Sequence, residues 1–259
     1  MVEKLFEELS ALPQVEAIAL GGSRAGTAFD ANSDYDVYLY CMSDVDVEKR
    51  REILSRFCSY TELGNSYWER EDNCKLNSGV DIDLLYRNLD GFIADVASVV
   101  EQYNARNGYT TCMWHNLRTC RIIFDRNGRL AQAKARFDVS YPQQLKQNII
   151  TRNLNLLHNA MPAYDAQIRK AVKRNDRVSI NHRTAAFLES YFDVIFAFNE
   201  LTHPGEKRLV QLCRRDCARL PSDFEENLNT LFDDMFANPQ QISKDLERIL
   251  FRLNEMLIN

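Results

Sequence analysis

The sequence is poor in the residues that mark fibrous or membrane-spanning chains. Its 259 residues include only 9 glycines and 6 prolines, too few for a collagenous chain or a long flexible linker. No run of apolar residues approaches the roughly 18 that a transmembrane helix needs. The first residues also lack the basic start and apolar stretch of a signal peptide. We therefore expect a cytoplasmic chain that does not enter a membrane.

Cysteine is present without the spacing of a metal site. The seven cysteines are an odd number and include no Cys-x-x-Cys pair. Cys213 and Cys217 share a helical face, but no histidine or second cysteine pair completes a zinc set. Disulfides persist mainly in oxidising compartments. We therefore expect reduced structural thiols in a cytoplasmic protein.

The sequence also lacks an excess of positive charge. Lys and Arg number 32 against 37 Asp and Glu, a net charge of −5. A protein that binds duplex nucleic acid needs a basic face to displace counterions from phosphates, so this class is disfavoured. A site that meets nucleotide phosphates through a metal ion is not excluded. Hydrophobic residues make up 45% and charged residues 27%, values typical of a globular chain with a buried core.

The first part of the chain alternates helical and strand patterns. Short runs rich in apolar and β-forming residues, bounded by turn residues, indicate strands. These runs are Val15–Leu20, Tyr35–Cys41, Tyr67–Glu71, Val80–Tyr86 and Arg121–Phe124. Between them, helical spacing predicts helices at 3–12, 45–57 and 89–105. This pattern predicts an α+β domain, residues 1–130, in which helices flank a mixed sheet.

After about residue 130 the strand patterns end and helical spacing takes over. Apolar residues at intervals of three and four, with plausible start signals, predict an all-α helical bundle over residues 131–259. The predicted helices are 141–159, 163–175, 180–201, 206–220, 222–236 and 239–258.

One glycine-rich turn follows the first predicted strand. Gly21-Gly22-Ser23 comes directly after Val15–Leu20, where backbone N–H groups and a hydroxyl can approach an anion. The same residues also form ordinary turns, so this segment alone is a weak indication of phosphate binding.

Aspartates on two predicted strands strengthen the indication. Asp34 and Asp36 are two residues apart, so on a strand their carboxylates project from one face. Two neighbouring carboxylates repel each other unless a cation lies between them, and oxygen ligands suit Mg²⁺. The alternative is two solvated aspartates at the start of a strand. Val80–Tyr86 adds a third carboxylate, either Asp83, which has apolar neighbours on both sides, or Asp81.

These residues together resemble a known superfamily. The order Gly21-Gly22-Ser23, ten residues, Asp34-x-Asp36, then Asp83 on a later strand is similar to polymerase-β-type nucleotidyltransferases. Within that superfamily it most resembles bacterial minimal and antibiotic (aminoglycoside and lincosamide) nucleotidyltransferases. The resemblance covers Val15–Tyr86 by motif. Many relatives read Gly-Ser-x-Ala-x-Gly, whereas here Gly26 follows Ala25 directly, which shortens the loop by one residue.

The resemblance implies a fold, which is a nucleotidyltransferase-type mixed sheet with flanking helices followed by a helical bundle. It also implies the reaction that the chain catalyses. Gly22 and Ser23 would bind the phosphates of a nucleoside triphosphate. Asp34 and Asp36 would hold two Mg²⁺ ions, and Asp83 would complete the set beside the acceptor hydroxyl. A nucleoside monophosphate, AMP from ATP, would pass to a hydroxyl of a small molecule, such as an antibiotic, with release of pyrophosphate. The bundle would supply acceptor specificity.

Three further residues are candidates that also have a structural interpretation, which is evenly balanced for Arg24 and favoured for Lys207 and Glu189. Arg24 either touches the triphosphate or is a solvated loop cation. Lys207 follows the His203-Pro-Gly205 break and lies in a segment similar to one in some relatives; it either reaches the nucleotide or starts a surface helix. Glu189 lies in the long apolar helix, and its role is either that of a general base for the acceptor or that of a structural glutamate.

Two other functions stay open at this point. One is transfer of AMP to a protein, as in toxin–antitoxin relatives. The other is a catalytically degenerate nucleotide-binding module, which the shortened loop after Ser23 permits. The oligomeric state, the nucleotide and the acceptor do not follow from the sequence.

Overall fold

The structure, a computed structural model, describes residues 2–25 and 33–258, apart from the side chain of Ser23. The predicted phosphate contact of the Ser23 hydroxyl and the shortened loop at Gly26 therefore lie outside the described residues.

A mixed six-stranded sheet forms the first part of the chain. Its spatial order is β3-β4-β5-β2-β1-β6. β2 and β5 pair in parallel, while the other neighbouring strands pair antiparallel. The predicted fold class, a mixed sheet with flanking helices followed by a helical region, is confirmed. The strands are β1 (Val15–Leu20), β2 (Tyr35–Cys41), β3 (Cys58–Asn65), β4 (Glu71–Leu76), β5 (Asp81–Arg87) and β6 (Arg121–Asp125).

The sequence prediction is wrong in the middle of this sheet. Tyr67–Glu71 is not a strand; residues 67–70 connect β3 to β4, and Tyr67 and Trp68 are exposed. Most residues of β3 are polar and at least partly exposed, and four of the six residues of β4, Glu-Asp-Asn-Cys-Lys-Leu, are polar or charged. Neither strand therefore carries a strong apolar pattern. Pairing with β5 stabilises β4 through its backbone, and β3 pairs with β4 in turn.

Helices flank the sheet in the same part of the chain. Leu5, Phe6 and Leu9 bury one face of the first helix, as its amphipathic spacing predicts. The helices are α1 (Val2–Ser10), α2 (Gly22–Ala25), α3 (Val47–Leu54), α4 (Leu89–Val100), α5 (Cys112–Thr119) and α6 (Arg129–Arg136).

One face of the sheet carries the apolar core of this part. Successive side chains of a strand point to opposite faces, so Val37 and Leu39 of β2 lie on one face while Asp36 lies on the other. Ile82 and Leu84 of β5 share the face of Val37 and are fully buried. Two strands thus keep their aspartates off the core face, which is why the sheet can carry carboxylates in its centre.

After Val139 the described chain is helical. Its core is a cluster of apolar residues contributed mainly by the long helix α9 and by α11 and α12. A π-helical turn at Asn155–Asn159 continues α7, and a 3-10 turn at Pro239–Gln241 precedes α12. The helices are α7 (Gln143–Leu154), α8 (Tyr164–Lys173), α9 (Arg177–Phe198), α10 (Leu209–Asp216), α11 (Phe224–Ala237) and α12 (Ile242–Ile258).

The chain forms two compact units. The sheet unit comprises residues 1–97 and 113–139, and the helical unit comprises residues 98–112 and 140–259. The segment 98–112 thus belongs with the helices, although it precedes α5 and β6 of the sheet unit. The division into domains at residue 130 stays a prediction.

The seven cysteines, all within the described residues, form no disulfide; their reduced state in a cytoplasmic protein stays a prediction. Within the described residues, no helix combines the length and the apolar content that crossing a bilayer requires.

Candidate active site

Two of the predicted carboxylates stand side by side in the sheet. In the parallel pair β2–β5, Asp36 is the register partner of Asp83. Adjacent strands lie about 4.8 Å apart, and register partners share a face. Both side chains are half-buried and point away from the apolar core. The fold therefore brings together Asp36 and Asp83, which are distant in the sequence.

The glycine turn packs directly against this pair. Gly22 has φ +57°, and a Cβ at this position would overlap Asp36 Oδ2 and lie 3.0 Å from Asp36 Cγ. The preceding Gly21 donates its N–H to the Asp36 carbonyl at 2.8 Å, and a Cβ there would lie 2.8 Å from the Tyr38 hydroxyl oxygen. A Cβ at either position would force the Tyr38 or Asp36 side chain to shift, and the positive φ of Gly22 adds strain for any other residue, so both positions favour glycine.

A hydrogen-bond chain on the neighbouring strands holds Asp83. Asn73 of β4 donates from Nδ2 to Asp83 Oδ1 at 2.8 Å, and Asn65 of β3 donates to Asn73 Oδ1 at 2.6 Å. No described residue donates to Asp83 Oδ2. Glu71 lies on the same face of β4, and burial together with the charge of Asp83 raises the pKa of its carboxyl. This side of the sheet therefore carries closely spaced negative charge.

Tyr38, which lies beside Gly21 of the turn, is contacted by Arg87 and Asn116. The Arg87 guanidinium lies 4.1 Å from the centre of the Tyr38 ring and binds both oxygens of Glu69, at 2.7 and 2.8 Å. Asn116 donates to the Tyr38 hydroxyl at 2.7 Å. Burial raises the pKa of Tyr38, so the ring that contacts Gly21 stays neutral. The Tyr38 ring thus contacts Arg87, Asn116 and Gly21, which ties the turn to β2.

The pair Asp36 and Asp83 fits a divalent cation. Mg²⁺ commonly takes one or two carboxylates and completes its shell with water and substrate phosphates. Because Gly22 has no side chain, it places no Cβ against Asp36 Oδ2. The described residues contain no group of three His, Cys, Asp or Glu side chains placed to hold one ion. The three-ligand assignment to Asp34, Asp36 and Asp83 therefore stays a prediction.

The other predicted residues of the sheet unit lie in different surroundings. Asp34 precedes β2 and is exposed. Asp81, the rival third ligand, is exposed and forms an ion pair with Lys75. Arg24 is buried; its guanidinium lies 3.8 Å from the centre of the Tyr35 ring and donates to the Ser33 carbonyl at 2.6 Å. These contacts give Arg24 a structural role in holding the turn to the start of β2, and its contact with nucleotide stays a prediction.

The two remaining candidates belong to the helical unit. Lys207 is exposed in the segment before α10. Glu189 is half-buried on α9, and burial raises the pKa of its carboxyl, against the lowering effect of His182. Their assignment to nucleotide and acceptor stays a prediction.

Sequence reasoning missed the residues that hold Asp83 and the Tyr38 ring. Asn73 and Asn65 lie on strands without an apolar pattern, and Asn116 lies on α5, which was not predicted. In the sequence of β4, the alternation of Cys74 and Leu76 with polar residues is a weak signal that could have indicated this strand.

Comparisons with known proteins give two kinds of similarity. A family profile described as "Domain of unknown function (DUF4037)" matches residues 110–209, a segment that includes α9 and Glu189. No curated protein matches the sequence.

Three solved structures are similar to this chain. A nucleotidyltransferase-like protein from Exiguobacterium sibiricum 255-15 aligns with 12% identity and a TM-score of 0.45, over 100% of this chain and 75% of that chain. An aminoglycoside 6-adenyltransferase from Bacillus subtilis aligns with 10% identity and a TM-score of 0.30, over 100% and 90%. Spectinomycin adenyltransferase AAD(9) from Enterococcus faecialis, with ATP and spectinomycin, aligns with 13% identity and a TM-score of 0.28, over 98% and 96%. These descriptions apply to those proteins.

Proposed function

We propose that this chain is a Mg²⁺-dependent nucleotidyltransferase that moves a nucleoside monophosphate, AMP from ATP, to a hydroxyl of a small molecule and releases pyrophosphate. The observation that carries the proposal is the in-register pair Asp36 and Asp83 with Gly22 packed against it. An ordinary turn beside a solvated aspartate does not require glycine for close approach to a carboxylate.

Each part of the site has a task in this reaction. Asp36 and Asp83 would hold Mg²⁺, which would neutralise phosphate charge and favour ionisation of the acceptor hydroxyl. Gly21 and Gly22 keep the turn free of side chains, so polyphosphate can reach backbone N–H groups beside the carboxylates. Asn73 fixes the orientation of Asp83, and orientation is what positioned catalysis depends on.

Substitution of Asp36 tests the proposal. Asp36→Asn keeps the size of the side chain but removes its charge, so pyrophosphate release with ATP, Mg²⁺ and an acceptor that supports turnover should fall by about 100-fold or more. The matched control is Asp81→Asn, which changes an exposed aspartate on the neighbouring strand. Its activity should stay within about twofold of the parent, since surface ion pairs contribute little. Equal activity of the parent and Asp36→Asn would refute the metal assignment.

Measurement of pyrophosphate release also identifies the acceptor. Pyrophosphate release is measured with the purified protein, ATP and Mg²⁺ across a panel of hydroxyl-bearing antibiotics and metabolites. A single acceptor class that raises release above the ATP-only rate supports the proposal. Radiolabelled ATP that marks protein bands in a lysate would instead favour transfer to a protein, and ATP binding without turnover on any acceptor would favour a degenerate module.

A further inference from the structure

Two cysteines of the helical unit lie one helical turn apart and take no part in the proposed reaction. Cys213 lies in α10, and Cys217 is the residue at which this helix ends. The Cys217 N–H donates to the Cys213 carbonyl at 2.9 Å, so both residues lie on the same face of the helix. Residues four apart on a helix have Cβ atoms roughly 5–6 Å apart, which brings the two sulfurs within reach of each other.

The two thiols are in contact. Cys213 donates its S–H to the Cys217 sulfur, and both side chains pack on the apolar cluster of α9, α11 and α12. A second pair, Cys58 of β3 and Cys74 of β4, is joined by a similar hydrogen bond. Contact between thiols therefore does not by itself distinguish the pair at α10.

Exposure to solvent distinguishes the two pairs. Cys58 and Cys74 are both buried in the core of the sheet unit, so a dissolved oxidant has little access to either sulfur. Cys217 is half-buried, whereas its partner Cys213 is fully buried. The pair at α10 thus combines one sulfur that a small oxidant can reach with a second sulfur beside it.

The surroundings of Cys217 favour its reactive form. The hydrogen bond from Cys213 lowers the pKa of the Cys217 thiol, against the raising effects of burial and of the Asp216 charge. Arg215 binds both oxygens of Asp216 at 2.7 Å, which offsets that charge. The thiolate is the form of cysteine that reacts with oxidants. Cys41 is also half-buried, but burial raises its pKa to about 11, so it stays a thiol.

Cys213 also attaches α10 to the rest of the helical unit. It is the one buried residue of this eight-residue helix, while Leu209 and Val210 are half-buried. α10 forms part of the wall of a cavity of about 1060 Å³ in the helical unit. A chemical change at Cys213 therefore acts on the residue that holds this part of the wall in place.

We propose that Cys213 and Cys217 form a reversible oxidation site, at which a hydroperoxide converts the two thiols into a disulfide. The Cys217 thiolate attacks the hydroperoxide and breaks its O–O bond, which gives a sulfenic acid on Cys217 and releases an alcohol, or water from hydrogen peroxide. The Cys213 sulfur then attacks the Cys217 sulfur and releases water. In sum, the two thiols lose two electrons and two protons, and the hydroperoxide takes them up.

The disulfide changes the last turn of α10. It holds the two Cβ atoms about 3.5–4.5 Å apart, which is closer than the roughly 5–6 Å of a regular helical turn. The backbone between Cys213 and Cys217 must therefore move, and the hydrogen bond between the Cys217 N–H and the Cys213 carbonyl weakens. This oxidation does not depend on the proposed nucleotidyl transfer and is tested without nucleotide.

Peptide mapping tests the site directly. The purified, reduced full-length chain is treated with hydrogen peroxide, the remaining thiols are alkylated, and the product is digested with trypsin. Trypsin cuts between the two cysteines, after Arg214 and Arg215, so the disulfide links peptide 209–214 to peptide 216–219. We expect this linked pair to be the first oxidation product and dithiothreitol to reverse it.

The other cysteines are internal controls in the same digest. The link between peptides 209–214 and 216–219 should form at least about tenfold faster than Cys41 is lost or Cys58 is joined to Cys74, because reactivity follows thiolate fraction and exposure. Absence of the linked pair, or earlier formation of the bond between Cys58 and Cys74, would overturn the proposal.

Variants separate the roles of the two sulfurs. Cys217→Ser should slow the first loss of a thiol at least about tenfold, because it removes the exposed reactive sulfur. Cys213→Ala keeps that sulfur, so peroxide should leave a sulfenic acid on Cys217 that dimedone traps. Cys41→Ser is the matched control, a substitution at another half-buried cysteine, and should form the linked pair at the rate of the parent. An unchanged rate of thiol loss in Cys217→Ser would contradict the proposal, and the mapping of the parent needs no variant to fold.

Amide hydrogen exchange measures the effect on the helix. Residues 209–217 should exchange several-fold faster in the oxidised parent than in the reduced parent, since fewer helical hydrogen bonds protect them. Cys217→Ser, treated in the same way, should show no change. Equal exchange in the two forms of the parent would overturn the movement of the last turn of α10, whatever the outcome of the Asp36→Asn experiment.

Discussion

At the scale of single residues, the site depends on close approach. Gly22 and Asp36 are neighbours only because Gly22 has no side chain, and Asp83 keeps its orientation only while Asn73 donates to it. Two substitutions separate these effects from general damage to the fold.

Replacement of Gly22 by alanine should remove activity. The added Cβ would overlap Asp36 Oδ2, and φ at this position is +57°, so the carboxylate or the turn must shift. We expect the free energy of unfolding to fall by about 1–3 kcal/mol. We also expect pyrophosphate release to be at least tenfold lower. Gly79→Ala is the control, because Gly79 has φ +87° but no atom within 4 Å of the added Cβ. It carries the backbone strain alone, so it should lower the melting temperature and leave activity intact. Equal activity losses in the two variants would show that close approach at Gly22 is not required.

Replacement of Asn73 by alanine should release Asp83. Residues that orient metal ligands typically contribute 10- to 100-fold to metal affinity or activity, so we expect the Mg²⁺ concentration for half-maximal activity to rise by about that factor. Ser59→Ala, which removes an exposed hydrogen bond to Lys75 on the same pair of strands, is the control. A parallel drop of kcat in both variants, with unchanged Mg²⁺ dependence, would assign Asn73 a purely structural role.

At the scale of elements, α9 holds the loop before α5 through a buried carboxylate. Asp193 is 1% exposed and accepts hydrogen bonds from Thr110 and Asn153. Burial raises its pKa to about 6, against the lowering effect of these donors. The connection ties the segment 98–112 to the helical unit and gives the unit a pH-dependent stability.

The raised pKa of Asp193 sets the direction of that dependence. The folded state keeps the proton that the unfolded state loses near its ordinary pKa of 3.8. Between about pH 4 and pH 6 the folded state therefore binds more protons, and its stability falls as pH rises through this window and stays lower above it. Relative to Asp193→Asn, which cannot titrate, the parent should lose up to about 3 kcal/mol from pH 4 to pH 7. Urea unfolding at both pH values measures the difference; a difference that does not change with pH would contradict the assignment.

At the scale of the whole molecule, ligand binding should appear as stability. A ligand that binds only the folded state at 100 times its Kd adds about 2.7 kcal/mol. ATP with Mg²⁺ should therefore raise the melting temperature of the parent by several degrees. ATP with EDTA should give a smaller rise, because the carboxylates Asp36 and Asp83 then face the triphosphate without a cation.

Variants make that measurement specific. Asp36→Asn should lose the part of the shift that depends on Mg²⁺, and Asp81→Asn should keep it. An identical Mg²⁺-dependent shift in the parent and Asp36→Asn would place the ion elsewhere. The measurement does not need an acceptor, so it tests the nucleotide site even before the acceptor is known.

The strength of local patterns explains which elements were predictable. β1 and β2 match their predicted bounds because each is a dense apolar or β-forming run between turn residues. β3 and β4 escaped prediction because most of their side chains are polar and they depend on pairing with β5. Asp36 and Asp83 were recognisable as candidates, whereas Asn73 and Asn65 were not, since their significance depends on neighbours contributed by other strands.

The sequence by itself determined the order of sheet and helices, the turn at Gly21–Gly22, and the placement of Asp36 off the core face of its strand, because these follow from residue periodicity over a few positions. Only the tertiary structure decided that β5 lies beside β2 in a register that pairs Asp36 with Asp83. It also decided that Gly108 packs on Glu189 of α9 and that Thr110 donates to Asp193 of the same helix. The physical reason is that pairing between distant segments depends on burying the whole core at once, and no local pattern carries that information.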